Sequence, residues 1–123
     1  SKNIKINKNI IWIDYLEDTV NFISQLDIFG LSSKYEGLGL VLIEALQAGT
    51  PIVAASTGAI PEVVKNNFNG KLVPYGDIKK FTESFKNITN LNYKKNGYQI
   101  LKKKFDEKIM YRKTMKIYEE IIK

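Results

Sequence analysis

Cysteine and histidine are both missing from the 123 residues. Without cysteine there is no disulfide, no thiolate metal site and no thiol nucleophile. Without histidine the commonest general base and the commonest metal ligand are gone as well. Long hydrophobic runs are also lacking. No apolar stretch approaches the roughly 18 to 20 residues of a membrane-spanning helix, and the opening SKNIKINKN has no apolar core of the kind a signal peptide carries. A soluble, intracellular domain is the expectation. With 44% hydrophobic and 26% charged residues, the composition suits one globular unit long enough to bury a core.

The formal charge of +6 is unevenly spread. Residues 1–93 carry nine Lys and nine Asp or Glu, whereas residues 94–123 carry ten basic and four acidic side chains. The whole excess therefore lies in the tail. A basic tail can meet nucleic acid or anionic lipid, or can simply be a solvated helix face. No aromatic–basic nucleic-acid motif accompanies it, so nucleic acid is not expected as a partner.

Along the chain, NIIWI (9–13) reads as a short buried strand, LEDTVNFISQL (16–26) as a helix and DIFGLSS (27–33) as a second strand. A helix follows that ends at Gly49, with Pro51 just beyond. PIVAAST (51–57) reads as a third strand, GAIPEVVKN as a short helix with Pro61 in its first turn, and Lys71–Val73 as a brief strand after a turn. DIKKFTESFKNI (77–88) is amphipathic, and the basic tail holds one or two more helices. Strands alternating with helices, the strands nearly continuously apolar, indicate a parallel sheet covered on both faces. Ligands bind such sheets beyond the carboxyl ends of the strands. The loops SSKYEGLG and STGAIP are both of that kind and should line one crevice.

SSKYEGLGLVLIEALQAGTPIV (32–53) poses the chemical question. A helix that is apolar all round is buried, and Glu44 inside it needs a partner. One answer is an ion pair with Lys34 or Lys65; another is a ligand with hydroxyl donors, such as the vicinal diol of a ribose. Gly37 and Gly39 flank the helix start, where free amides and a positive partial charge make a phosphate seat. Glu36, just before them, would meet a third group.

Residues 33 to 73 strongly resemble the carboxy-terminal donor domain of group 1 (family 4) glycosyltransferases of the GT-B fold. The shared pattern is two glutamates eight residues apart, Glu36 and Glu44, then Glu-Ala, Gly-x-Pro and a Gly-x-x-x-Glu loop beginning at Gly58. The resemblance is specific over about residues 10–76, and FDEKIMYRKTMKIYEEI looks like the family's closing helix. It implies a Rossmann-like parallel sheet with helices on both faces, part of a GT-B enzyme. It also implies a retaining, metal-independent transfer of sugar from a nucleotide-sugar, with no cofactor, in polysaccharide, lipopolysaccharide or glycolipid synthesis. Glu44 would hold the ribose of the donor; Gly37, Leu38 and Gly39 would offer amides to the diphosphate, with Gly58 alongside. Glu36, the catalytic candidate, would face the transferred sugar. Ser32, Leu38, Ala59 and Asp14 depart from the family's usual Pro, Phe, Gly and Gly.

In this family the acceptor site lies on a separate amino-terminal domain, and nothing in the sequence corresponds to it or to the first strands with their cationic diphosphate clamp. Residues 1–123 are therefore expected to be a carboxy-terminal nucleotide-sugar-binding domain truncated at its amino-terminal side. The partners implied are the nucleotide-sugar, the acceptor domain or a partner chain, and peripheral contact with the inner face of the cell membrane from the cytoplasm. The final helix, with apolar Phe105, Ile109, Ile117, Ile121 and Ile122, is expected to dock on a surface outside the chain. The alternative is a non-catalytic remnant or interaction module that keeps the fold.

Overall fold

The computed structural model describes residues 8–88 and 92–122. Three strands form one parallel sheet in the order β1 (Phe29–Leu31), β2 (Ile52–Ala55), β3 (Gly70–Val73). Phe29 lies opposite Ile52, and Ile52 opposite Gly70. Six helices surround it: α1 (Thr19–Ser24), α2 (Leu40–Ala48), α3 (Ile60–Val63), α4 (Ile78–Lys86), α5 (Asn92–Lys104) and α6 (Glu107–Ile122).

The central strand β2 is buried along its whole length, and its two-residue period divides it between two cores. Ile52 and Ala54 pack with Ile23, Leu42, Leu46 and Ile60 of α1, α2 and α3, joined by Ile100 of α5. Val53 packs with Val73, Ile88 and Tyr93, against Phe81 and Phe85 of α4. The sheet is covered on both faces, as the continuous apolar strands required.

Local chemistry sets the helix ends. Asp18 caps α1 by accepting the Asn21 amide at 2.9 Å, and Asp77 caps α4 by accepting the Lys80 amide at 2.9 Å. Gly49 ends α2 in the left-handed region, φ 72°, and its amide returns to the helix carbonyls. The buried Thr50 hydroxyl then donates to the Ile23 carbonyl at 2.7 Å, fastening α1 to the link between α2 and β2. Buried Asn69 accepts the Lys65 amide at 2.6 Å and donates to the Val63 carbonyl at 3.0 Å, which shapes the turn into β3. At the edge of β3 not paired with β2, the Asn66 side chain accepts the Leu72 amide at 3.0 Å.

Two expectations are corrected. Residues 9–13 form no strand and are exposed, with Ile11 at 84% and Trp12 at 77%. Their composition favours extended chain, but a strand needs a ladder partner, and no described strand lies beside them. Nor is α2 buried all round. Leu42, Ala45 and Leu46 are, but Leu40 is 69% exposed and Leu38 also lies open. That side of the helix borders a groove of about 330 Å³ whose opposite wall includes Phe105, Ile109 and Ile117. Helix α6 meets the body near its start, where Phe105 and Ile109 are half-buried, and none of its residues is buried.

Candidate functional site

The carboxyl ends of β1 and β2 each run into a loop and then a helix, and the two loops are fastened together. Thr57 donates its hydroxyl to the Ser33 carbonyl at 2.9 Å. Gly58, in the left-handed region at φ 51°, lies so close to Glu36 that an added Cβ would sit 2.2 Å from the Glu36 carbonyl oxygen. Only glycine satisfies both conditions. The two loops expected to line one crevice thus lie side by side, with Gly58 against the Glu36 backbone. The Thr57–Ser33 tie escaped sequence reasoning, because nothing in a Ser-Thr-Gly loop tells which distant carbonyl its hydroxyl meets.

Gly37 and Gly39 differ in what they are for. Gly39 is the residue that begins α2, with φ 67° and ψ 60°, a backbone that glycine adopts readily. It provides no side-chain cap. At Gly37 an added Cβ would meet nothing within 4 Å and the backbone is unstrained, so neither sterics nor φ demands glycine. The amides of Gly37, Leu38 and Gly39 meet no acceptor among the described residues. The first-turn amides of Leu40 and Val41 are likewise left over by helix geometry. Together they form an uncapped, electropositive helix mouth.

Glu44 stands just over one turn inside that helix, half-buried. Neither lysine considered as its partner reaches it. Lys34 places its ammonium over the Tyr35 ring, 5.3 Å from the centroid, and Lys65 donates to the Pro61 carbonyl at 2.6 Å. Among the described residues the one ion pair is Lys80–Asp77, on α4. The Glu36 side chain, also half-buried, has no partner among the described residues either. Two carboxylates with spare acceptor capacity thus flank a set of unmet amide donors.

Asp14 is exposed to solvent. Glu62 sits exposed in the first turn of α3, where the helix dipole accounts for a carboxylate. On the α4 side of the strand ends, Ser32, Ala55, Pro74, Tyr75, Ile78 and Phe81 line a further cavity of about 390 Å³. Its only sequence signal is the turn PYGD following a strand.

The family model for glycosyl transferases, group 1, matches residues 1–107, and the chain belongs to that family. Its fold is that of the GT-B glycosyltransferases. The capsular polysaccharide biosynthesis glycosyltransferase of Staphylococcus aureus is 28% identical over 95% of this chain and 32% of its own length. The carboxy-terminal domain of a group 1 family glycosyl transferase from Francisella tularensis superposes with a TM-score of 0.67 at 25% identity, covering 80% of this chain and 53% of that one. An Anabaena protein solved in complex with UDP superposes with a TM-score of 0.70 at 22% identity, covering 80% of this chain and 29% of that one. The chain spans about a third of the length of the Staphylococcus protein it matches.

Proposed function

We propose that this chain is the donor-binding part of a retaining, metal-independent glycosyltransferase that takes a nucleotide-sugar as donor and needs no cofactor. The observation that carries the reading is Glu44: a half-buried carboxylate with no partner among the described residues, close in the chain to amides with no acceptor among them. A nucleoside diphosphate satisfies both at once. Its ribose hydroxyls donate to Glu44, and its phosphates accept from the amides of Gly37, Leu38 and Gly39 at the mouth of α2. Gly58 holds the Glu36 backbone in that loop, and in this reading the Glu36 carboxylate meets the sugar beyond the diphosphate.

In that arrangement the helix mouth has a catalytic as well as a binding role. As the glycosidic bond to the diphosphate breaks, negative charge grows on the leaving phosphate, and preorganised amides stabilise it without reorganisation. Hydrogen bonding of the transferred sugar by Glu36 fixes its anomeric carbon relative to that leaving group. The acceptor comes from a separate amino-terminal domain or partner chain, and the complete enzyme works in polysaccharide, lipopolysaccharide or glycolipid synthesis at the cytoplasmic side of the membrane. The 123-residue chain alone does not transfer sugar, since missing general-base and cationic groups are each worth orders of magnitude in rate.

Calorimetric titration of the chain with UDP, GDP and ADP tests the reading. Binding of at least one with Kd of about 1 mM or tighter, weakened by Glu44→Gln, is expected. No binding of any of the three would overturn it in favour of a non-catalytic interaction module.

A further inference from the structure

We propose that Thr57 is a positioning residue for the donor site. Its hydroxyl holds the loop 32–38, and with it Glu36 and the amides of Gly37 and Leu38, in the arrangement that a nucleotide-sugar meets. The ligand in that role is the donor already proposed, whereas the hold is a property of the free chain. Thr57 is itself fixed. Its amide donates to the Ala55 carbonyl at 3.0 Å, and its carbonyl accepts the Ile60 amide at 3.0 Å where α3 begins. The preceding Ser56 amide donates to the Val73 carbonyl at 2.7 Å, which ties this turn to β3.

The opposite loop has far less to hold it. Among the described residues, 32–38 make no backbone–backbone hydrogen bond outside the strand ladder. The one side-chain bond they receive is that of the Thr57 hydroxyl, 2.9 Å from the Ser33 carbonyl. Five of the seven residues are exposed, so little packing makes good the shortage of bonds, and such a segment opens at low cost. One donor on a rigid turn therefore decides how much order the loop keeps before a ligand arrives. A ligand that must first fix a mobile loop gives up binding energy to do so. The groups proposed for diphosphate and sugar ride on this loop, whereas Glu44, proposed for the ribose, stands on α2. Loss of the hydroxyl should weaken the two parts of the ligand unequally. A hydrogen bond between neutral groups corresponds to about two- to tenfold in an equilibrium, which sets the size of the effect. Ser33 and Thr57 are both half-buried, so the freed carbonyl reaches water and overall stability changes little.

Thr57→Val keeps the side-chain shape and removes the donor, while Thr57→Ser keeps the donor. Backbone nitrogen relaxation of the free chain at residues 34–37 should give order parameters near 0.85 for the unmodified protein and Thr57→Ser, and below about 0.6 for Thr57→Val. The melting temperature of Thr57→Val should stay within about 3 °C of the unmodified chain. Calorimetric titration should show UDP-glucose, GDP-glucose or ADP-glucose, whichever binds, weakened about two- to tenfold by Thr57→Val and restored by Thr57→Ser. The matching monophosphate, UMP, GMP or AMP, should bind the valine variant as it binds the unmodified chain, whereas Glu44→Gln should weaken both ligands. A loop already mobile in the unmodified protein overturns the proposal, as do unchanged order and affinity in Thr57→Val. Equal losses for nucleotide-sugar and monophosphate, or a loss that Thr57→Ser fails to restore, would make Thr57 merely structural and overturn it too. If none of these ligands binds the unmodified chain, the donor reading fails by itself. Loop order lost in Thr57→Val and regained in Thr57→Ser would still uphold the hold on the loop, and order kept in both would overturn it.

Discussion

Replacing Glu44 by Gln keeps the side-chain volume and one acceptor oxygen while removing the charge. A hydrogen bond to a charged group contributes about 1.5 to 3 kcal/mol. At about 1.4 kcal/mol per factor of ten, nucleotide affinity should fall roughly ten- to a hundredfold. The structure sharpens the companion forecast for stability. Among the described residues Glu44 has no lysine to lose, and Lys34 and Lys65 are engaged elsewhere. Its neutralisation should therefore move the melting temperature by less than about 3 °C. Titration calorimetry with the preferred nucleoside diphosphate and its 2′,3′-dideoxy counterpart separates the causes. The dideoxy ligand should bind the unmodified chain weakly and be nearly indifferent to Glu44→Gln. Equal loss for both ligands would remove the diol from the reasoning, and a large drop in melting temperature would return Glu44 to a structural role.

Glu36→Gln should spare the free nucleoside diphosphate and weaken the sugar-bearing donor, read by titrating both. Gly37→Ala meets no atom within 4 Å, so it should leave the melting temperature unchanged while lowering diphosphate affinity, the signature of space kept for a ligand. Gly58→Ala drives a Cβ into the Glu36 carbonyl at a positive φ; a cost of about 1 to 3 kcal/mol in denaturant unfolding is expected together with weaker donor binding. Thr50→Val removes the buried bond to Ile23, but that carbonyl keeps the Leu26 amide, so the loss should be only about 1 kcal/mol in the same unfolding measurement.

Much of the fold was legible because β2 is apolar at every position and flanked by glycine and proline. Such a run reads as a strand buried on both sides, and it is one. Gly49 and Pro51 marked the end of α2 for the same local reason, a left-handed cap followed by a residue that cannot continue a helix. NIIWI failed because strand propensity is local while strand pairing is not. Its isoleucines and tryptophan suit a pleated sheet, and no described strand is there to receive them. In the crevice, the glutamates and glycines were legible as residue types. What each glycine is for was not. Gly58 answers to a backbone atom of Glu36, Gly39 to its own torsion, and Gly37 to neither, distinctions that exist only once the two loops are side by side. The choice between a lysine and a ligand for Glu44 likewise turned on where Lys34 and Lys65 point.

The two edges of the sheet are unlike. Along β3, Asn66 occupies the Leu72 amide, and Lys71 donates to Asn67 just beside it, so an arriving strand would find a donor taken and a charge in its way. Along β1 no described residue pairs with the outer side of the strand. Further strands can therefore join on one flank only, and the sheet has a direction of growth. Whatever joins there arrives next to the loop that carries Glu36, on the side away from the blocked edge. Enlarging the sheet and completing the wall of the crevice are then a single event, and a strand that docked in the wrong register would misplace both together.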